Sequence, residues 1–319
     1  MMAVLGRLIV ATMPLAPKFI VKMVASRYVA GSRLEDAIST MRKLSSEGAC
    51  FTVDVLGEEI TSMEEANFFL EEYSMLIDSI VETKIDAHIS IKPTAFGLLI
   101  DQESAYENIL QITRKASENE IFVRLDMEDS RVTDSTIEIM MRIRSSGLSN
   151  IGVVLQGRLF RTNSDIEKIC NMLGADADFR ICKGIYLEPG DIAYTDYRDI
   201  VNATNSAIET MMTRGAYTAV ASHDYPVIEK TLELLEKFEL SSSKRKETSN
   251  GKGPGYEFQF LLGVRGDLRR KLAGEGHLTR IYVPYGKQWY EYGIRRLNEN
   301  PEVATHVLKT LLMPWTNRR

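Results

Sequence analysis

The feature that most constrains this chain is a regular alternation of short β-branched or apolar runs with longer amphipathic segments. Such alternation is typical of βα units that build a parallel sheet. The runs predict strands at residues 51–56, 88–92, 122–126, 152–156, 179–183, 218–222, 257–262 and 280–283. Amphipathic helices are predicted at residues 104–119, 134–144, 163–173, 197–214, 227–238 and 287–298. Eight such units predict an α/β fold in which the sheet closes as a (β/α)8 TIM-type barrel.

An open, doubly wound sheet is the alternative that the same alternation allows. Such a sheet would carry a GxGxxG turn after its first strand to bind a dinucleotide, and this sequence has none there. A length of 319 residues suits one barrel. We therefore predict two parts, an N-terminal helical arm over residues 1–43 and a catalytic barrel over residues 44–319.

The cysteines and histidines argue against disulfide and metal chemistry. The three cysteines form no CxxC spacing, which is typical of a reduced, cytoplasmic protein. The four histidines form no HxxxH pair and have no carboxylate at ligand spacing. We therefore predict no metal site. The residues concerned are Cys50, Cys170, Cys182, His88, His223, His277 and His306.

The first 34 residues are basic, whereas the whole chain has a net charge of −5. They contain no Asp or Glu, and apolar residues recur at helical spacing from Ile20 to Tyr28. This pattern fits an interfacial helix that contacts anionic lipid, but most such stripes belong to helices packed on a core, here the barrel. The acidic remainder carries no recognition helix, so we expect no nucleic-acid partner. The cationic side chains of the arm are Arg7, Lys18, Lys22, Arg27 and Arg33.

Polar residues cluster at the predicted carboxyl ends of the strands, where β/α barrels carry their active sites. Cationic groups beside apolar walls would bind a small anion, because guanidinium donors match a carboxylate or a phosphate. Each residue alone also fits a solvated strand end or a cap. The residues are Lys92, Asp126, Gln156, Arg180, Lys183, Ser222, His223 and Asp224.

The helix predicted after the last strand places four functional side chains on one face. Tyr292, Arg295, Arg296 and Glu299 lie three or four residues apart. Spacing alone favours a salt-bridged surface helix in which Glu299 pairs with Arg295. The alternative is a carboxylate clamp formed by the tyrosine and the two adjacent arginines.

Nine segments stand in the order in which proline dehydrogenases carry them: VDVLGEE, SIKPT, RLDMEDS, VVLQ, RICKGIY, ASHD, EFQFLLG, RIYVPYG and YGIRRLNEN. An N-terminal RYVAG segment is similar to that of monofunctional bacterial members. The chain thus resembles this family over nearly its whole length. The resemblance implies FAD bound at the barrel mouth, with the last barrel helix lying over it. It also implies oxidation of L-proline to 1-pyrroline-5-carboxylate, the first step of proline catabolism, by hydride transfer to flavin N5.

The resemblance further implies partners for this reaction. Electrons would pass to a membrane quinone, which agrees with a cytoplasmic protein whose basic arm makes peripheral contact with the inner face of the cell membrane. The second dehydrogenase domain of fused members is not found in the sequence. A separate pyrroline-5-carboxylate dehydrogenase would then take the product.

By resemblance, cationic groups bind the carboxylate of proline, while apolar and aromatic walls surround its ring. Glu58 is implied as a gate that pairs with Arg295 over the substrate. Tyr282 is expected to favour proline over hydroxyproline. The implied carboxylate-binding residues are Lys92, Arg295 and Arg296. The implied ring-contacting residues are Leu262, Tyr282 and Tyr292.

A second set of residues is implied to contact the flavin. Arg180 would lie nearest N5, where its charge favours the reduced ring. It is expected to be catalytic together with Asp126, a carboxylate that orients nearby groups. At position 185 this chain has Ile where related proteins have small residues, and at position 222 it has Ser where threonine is also found. Both differences should alter the fit of the ligand more than the chemistry. The implied cofactor-binding residues are Met127, Gln156, Arg180, Lys183, Gly184, Ile185, Ser222, His223 and Glu299.

The residues alone leave two other functions open. Lys183 would form a Schiff base, as in aldolase-type lyases, if it were desolvated inside its strand. Arg180, Arg295 and Arg296 would then bind a phosphate. Alternatively, the basic arm and the arginine-containing helix would form the anion-recognition surface of a non-enzymatic, membrane-associated protein.

Overall fold

The computed structural model describes residues 26–240, 255–290 and 292. Within them, eight parallel strands pair in sequence order, and the eighth pairs with the first to close a barrel. This confirms the predicted (β/α)8 TIM-type barrel, with strand ends that differ from the predicted ones by at most two residues. The strands are β1 Cys50–Val55, β2 Ala87–Ile91, β3 Val123–Leu125, β4 Ile151–Gln156, β5 Asp178–Cys182, β6 Tyr217–Ala221, β7 Gly255–Leu261 and β8 Thr279–Tyr285.

Helices on the outside of the barrel cover the strands. The described helices are α1 Leu34–Ser45, α2 Met63–Thr83, α3 Gln102–Glu118, α4 Thr133–Ser145, α5 Thr162–Leu173, α6 Tyr197–Thr213, α7 Tyr225–Lys237 and α8 Gly266–Gly274. None of them is both long and apolar enough to cross a bilayer. Most of the helix predicted at residues 287–298, and the arm before residue 26, lie outside the described residues.

Helix α1 crosses residue 43, where we expected the N-terminal arm to end. Its residues Ala37, Ile38 and Met41 are buried in the same hydrophobic core as the barrel strands. The helix is amphipathic, with apolar residues three or four positions apart on the buried face. The described part of the arm is therefore packed against the barrel.

Helix α2 is joined to the two strands that it follows and precedes. It begins after Ser62, whose backbone N–H donates to the Glu65 carboxylate at 3.1 Å, as in a capping box. On its buried face, the Tyr73 hydroxyl accepts a hydrogen bond from the Val55 N–H at 3.2 Å and donates one to the carbonyl of Ser90. This side chain therefore fixes α2 to the ends of β1 and β2.

The interior of the barrel is polar along a line from its amino end to its mouth. The Arg280 Nε lies 2.9 Å from Glu257 Oε1, and Gln259 Nε2 donates to the same oxygen at 2.5 Å. Gln259 Oε1 in turn accepts from Arg180 Nε at 2.5 Å. All four side chains are buried, and we call them the polar column. Each charge of the column has a partner, because an unpaired charge in such surroundings is costly.

A second buried ion pair joins β3 to β5. The guanidinium of Arg124 pairs with the carboxylate of Asp178, and its Nη1 also donates to the Asp178 carbonyl at 2.9 Å. Gly152 of β4 lies beneath the pair, where a Cβ would approach Arg124 Nη1 to 2.7 Å. The glycine thus provides the space through which the pair crosses β4.

Replacing Arg124 by Met should lower the free energy of unfolding by about 3–5 kcal/mol, because it leaves the Asp178 carboxylate buried without its partner. Urea unfolding followed by circular dichroism measures this loss. Lys230→Met, which breaks the exposed pair with Glu233, is the control and should cost less than about 1 kcal/mol. Equal losses in the two variants would contradict the importance of the buried pair.

Candidate active site

The carboxyl ends of the strands surround a cavity of about 1020 Å³. Every strand of the barrel, or the segment that follows it, contributes to the wall. Most residues selected from the sequence meet there. Those that line the cavity are Glu58, Lys92, Asp126, Met127, Gln156, Arg180, Lys183, Gly184, Ile185, Ser222, His223, Asp224, Tyr282 and Tyr292.

The expectation that Leu262 lines the cavity is wrong. Side chains alternate between the two faces of a strand, and Gln259 of β7 points into the barrel. Leu261 therefore points the same way and lines the cavity, whereas Leu262 is buried in the hydrophobic core. Arg295, Arg296 and Glu299 lie outside the described residues.

Arg180 of β5 is held by partners from several strands. Its Nη1 donates to Asp126 Oδ1 at 2.5 Å, and its Nη2 donates to Ser90 Oγ at 3.0 Å. The third nitrogen, Nε, is bound by Gln259 of the polar column. The guanidinium carbon lies 5.4 Å from the centre of the Tyr282 ring, within cation–π range. The position of this cation at the cavity wall is therefore fixed.

Both carboxylate oxygens of Asp126 are in use. One accepts from Arg180, and the other accepts from the hydroxyl of Tyr282 at 2.7 Å. Burial raises the pKa of Tyr282 well above its ordinary value, and the negative charges of Asp126 and Asp54 add to this effect. The phenol therefore remains a donor, and Asp126 is placed to orient it together with the guanidinium.

Lys92 directly follows β2 and forms an ion pair with Asp54, with Nζ 2.6 Å from Oδ1. Burial raises the pKa of Asp54 to about 6; Lys92 opposes this shift and Asp126 reinforces it. Burial also disfavours the charge of Lys92, but Asp54 and Asp126 outweigh it, so the pKa of Lys92 is raised. The lysine is thus positively charged at neutral pH and available to an anionic ligand.

Glu128 is a second buried acid at the cavity. It accepts hydrogen bonds from the backbone N–H of Thr94 at 3.1 Å and from the Thr94 hydroxyl at 2.5 Å. Burial raises the pKa of Glu128 to about 7, although the bonds from Thr94 and the charge of Lys92 lower it. The side chain therefore changes its charge near neutral pH.

Glu128 belongs to the β3–α4 loop, residues 126–132, which contacts several neighbouring segments. Ser130 donates from its N–H and its hydroxyl to the Glu188 carboxylate, at 2.8 and 2.6 Å. Arg131 forms an ion pair of 2.5 Å with Glu59, which follows β1. Together with the bonds from Thr94, these contacts tie the loop to the segments that follow β1, β2 and β5.

Gln156 and Gly184 form a narrow, polar part of the wall. Gln156 Nε2 donates to the carbonyl of Glu128 at 2.6 Å, while its Oε1 is buried without a hydrogen-bond partner among the described residues. Gly184 has a φ of +96°, and a Cβ there would lie 2.5 Å from that oxygen. Both the conformation and the space require glycine. A buried acceptor beside bare backbone is suited to a closely approaching polar ligand.

The neighbouring part of the wall contains a paired lysine and a histidine. Lys183 forms an ion pair with Asp224, and its Nζ lies 5.1 Å from the centre of the Tyr197 ring. His223 Nε2 accepts a hydrogen bond from the N–H of Leu261 at 3.0 Å. In residues 26–240, 255–290 and 292, no group of histidine, cysteine and carboxylate side chains could hold a metal ion.

Three important residues of this site were missed by sequence reasoning. Asp54 and Gln259 each carry a signal, because they are polar residues inside otherwise apolar strands that are buried on both faces. Glu128 has no such signal in the sequence, since it stands beside Asp129 in an acidic stretch that is typical of a polar loop.

The family model described as proline dehydrogenase matches residues 37–309. The chain belongs to the proline dehydrogenase family. "Proline dehydrogenase 1" of Bacillus subtilis subsp. natto is 34% identical over 288 residues, which are 90% of each chain. "Proline dehydrogenase" of Deinococcus radiodurans is 33% identical over 292 residues, again 90% of each. These similarities identify the chain as an enzyme of the proline dehydrogenase family.

A comparison of folds gives the same architecture. Proline utilization A from Bdellovibrio bacteriovorus, crystallised after inactivation by N-propargylglycine, matches with a TM-score of 0.78 and 20% identity. The match covers 88% of this chain and 33% of that chain. At this identity the match establishes the shared barrel fold.

Glu128→Gln should change how stability depends on pH. A pKa of about 7 in the folded state, above the ordinary 4.5, means that folding retains a proton which the unfolded chain loses between these values. The wild type should therefore lose roughly 3 kcal/mol of unfolding free energy as pH rises from 4.5 to 7, relative to the variant. Urea unfolding of both proteins at several pH values measures the difference. A constant difference would argue against the titration, and exposed Glu236→Gln serves as control.

Proposed function

We propose that this protein catalyses the FAD-dependent oxidation of L-proline to 1-pyrroline-5-carboxylate in proline catabolism, passing electrons to a membrane quinone. Family membership supports the reaction class. The observation that carries the proposal is a fixed pair of cations, Lys92 and Arg180, that line one cavity together with Asp126 and Tyr282. Such a site combines a carboxylate-binding charge with an aromatic wall.

The fit of FAD is supported by features of the cavity wall and by the cavity volume. The Gln156 amide oxygen is buried without a partner among the described residues, and the backbone beside it is kept bare by Gly184. The cavity of about 1020 Å³ is large enough for such a cofactor. When bound, FAD supplies N5 as the hydride acceptor for the C5 hydrogen of proline. The residues that would hold it are Met127, Gln156, Arg180, Lys183, Gly184, Ile185, Ser222 and His223.

The protein's own residues would bind and orient proline. Lys92, kept charged by Asp54, would pair with the carboxylate. Tyr282 would pack against the pyrrolidine ring and exclude water. Since both oxygens of Asp126 already accept hydrogen bonds, this carboxylate would orient Arg180 and Tyr282 rather than take the substrate's ammonium proton. Correct orientation is itself a large part of catalysis.

The Schiff-base alternative finds no support in the site. A lysine that attacks a carbonyl must be neutral, usually through desolvation in an apolar pocket. Lys183 instead forms an ion pair with Asp224, and its side chain is 33% exposed. The basic residues before position 26 support the proposal of a membrane contact. A separate pyrroline-5-carboxylate dehydrogenase would take up the product.

Anaerobic addition of excess L-proline should bleach the oxidised-flavin absorbance of the purified protein, and D-proline should not. A yellow protein that L-proline leaves unbleached would mean that the substrate is wrong. A protein that is colourless even after FAD is added would overturn the flavoenzyme proposal.

Lys92→Met should raise KM for L-proline by about 10- to 100-fold, because it removes a charged hydrogen bond to the carboxylate. Steady-state kinetics with a quinone analogue measures the change. The double variant Lys92→Met/Asp54→Asn controls for the carboxylate left unpaired, and its KM should be raised equally. An unchanged KM in both variants would show that Lys92 does not bind the substrate.

A further inference from the structure

The β1–α2 loop, residues 56–62, carries Glu58 into the cavity wall. The electrostatic influence of Glu58 reaches both Lys92 and Glu128. The residue therefore lies close to the charged end of the site. The contacts that hold the backbone of Glu58 determine the position of its carboxylate at the cavity.

Thr94 holds the backbone on the carboxyl side of Glu58. Its hydroxyl accepts a hydrogen bond from the N–H of Glu59 at 2.8 Å, and its carbonyl accepts one from the N–H of Ile60 at 3.4 Å. Glu59 has a φ of +49°, a left-handed conformation that non-glycine residues adopt at some cost. The hydrogen bond from the Glu59 N–H to the Thr94 hydroxyl compensates for this cost.

Glu128 in turn fixes the direction of the Thr94 hydroxyl. A hydroxyl has a single proton, and Thr94 gives it to Oε1 of the ionised Glu128 carboxylate at 2.5 Å. Its lone pairs are then left for the N–H of Glu59. The second carboxylate oxygen binds the Thr94 N–H at 3.1 Å, so the threonine is held at two points. Thr94 and Glu128 are both nearly inaccessible to solvent.

The ion pair between Arg131 and Glu59 also holds this turn, but it is weaker. Both side chains are more than half exposed. Exposed ion pairs contribute little because water and salt screen them. The buried path from Glu128 through Thr94 to Glu59 is therefore a stronger restraint on this side of Glu58 than the ion pair.

We propose that Glu128 and Thr94 are positioning residues for Glu58: their buried hydrogen bonds set the turn that presents the Glu58 carboxylate at the substrate cavity. This assignment rests on the proposed function and on the gate role that the resemblance implies for Glu58. Neither residue needs to contact proline in this role. Their loss weakens substrate retention while leaving the reacting groups in place.

Hydrogen exchange followed by mass spectrometry tests the restraint without reference to activity. Thr94→Val keeps the shape of the side chain and removes its hydroxyl. The amide of Glu59 should then exchange about fivefold faster, the effect expected for one neutral hydrogen bond. Ser130→Ala, which removes a contact of the same β3–α4 loop to Glu188, is the control and should leave this amide unchanged. An unchanged rate in Thr94→Val would overturn the proposal.

Kinetics then tests whether the restraint acts through Glu58. Thr94→Val and Glu128→Ala should each raise KM for L-proline about fivefold, with less than a twofold change in kcat. Glu128→Gln, which keeps one acceptor for Thr94, should give a KM between those of the wild type and Glu128→Ala. In a Glu58→Ala background, Thr94→Val should have no further effect on KM.

The two possible failures are distinguishable. A KM effect of Thr94→Val that persists in full without Glu58 would overturn the positioning role, whatever the exchange rates. If L-proline does not reduce the wild-type protein at all, the proposed function fails. The exchange measurement would still decide whether Thr94 and Glu128 hold the turn.

Discussion

The buried guanidinium of Arg180 is the interaction on which the rest of this site depends. A cation inside a barrel is tolerated only when each of its donors has an acceptor. Here the acceptors come from β2, from β7 and from the residue that follows β3. One acceptor, Gln259, extends the network to Glu257 and Arg280 below it. The interior of the barrel is therefore built as one connected polar system.

This requirement explains the shape of the cavity wall as well as its charge. Asp126 must remain beside Arg180, and Tyr282 reaches the same carboxylate from β8. Lys92 is held on its own buried acid, Asp54. Two cations of fixed position result, one attached to the central network and one beside it. A small zwitterion and an electron-accepting ring would each meet a positive group in such a site.

The sequence was sufficient for the fold because the hydrophobic alternation repeats eight times, and errors at single strand ends do not change a repeated pattern. It was also sufficient for much of the wall, since polar residues at strand ends of a barrel meet at one mouth.

The sequence failed where a single position decides which side chain faces the cavity. Leu261 and Leu262 are chemically identical, and only the orientation of Gln259 shows which one faces inward. Glu128 was missed because its importance arises from burial and from Thr94, which is distant in sequence. The helix with Arg295 and Arg296 lies outside the described residues, so its role remains the one implied by resemblance.

The β3–α4 loop combines tasks that are usually divided among separate segments. Within seven residues it orients Arg180, accepts the Gln156 amide, holds Thr94 and reaches Glu188. A substitution here alters several functions together, so natural drift and laboratory selection have few acceptable choices in this stretch. Changes of substrate preference are more accessible on β7 and β8, where Leu261 and Tyr282 face the cavity. The β3–α4 loop and the wall formed by β7 and β8 thus lie on opposite arcs of the same ring of strands.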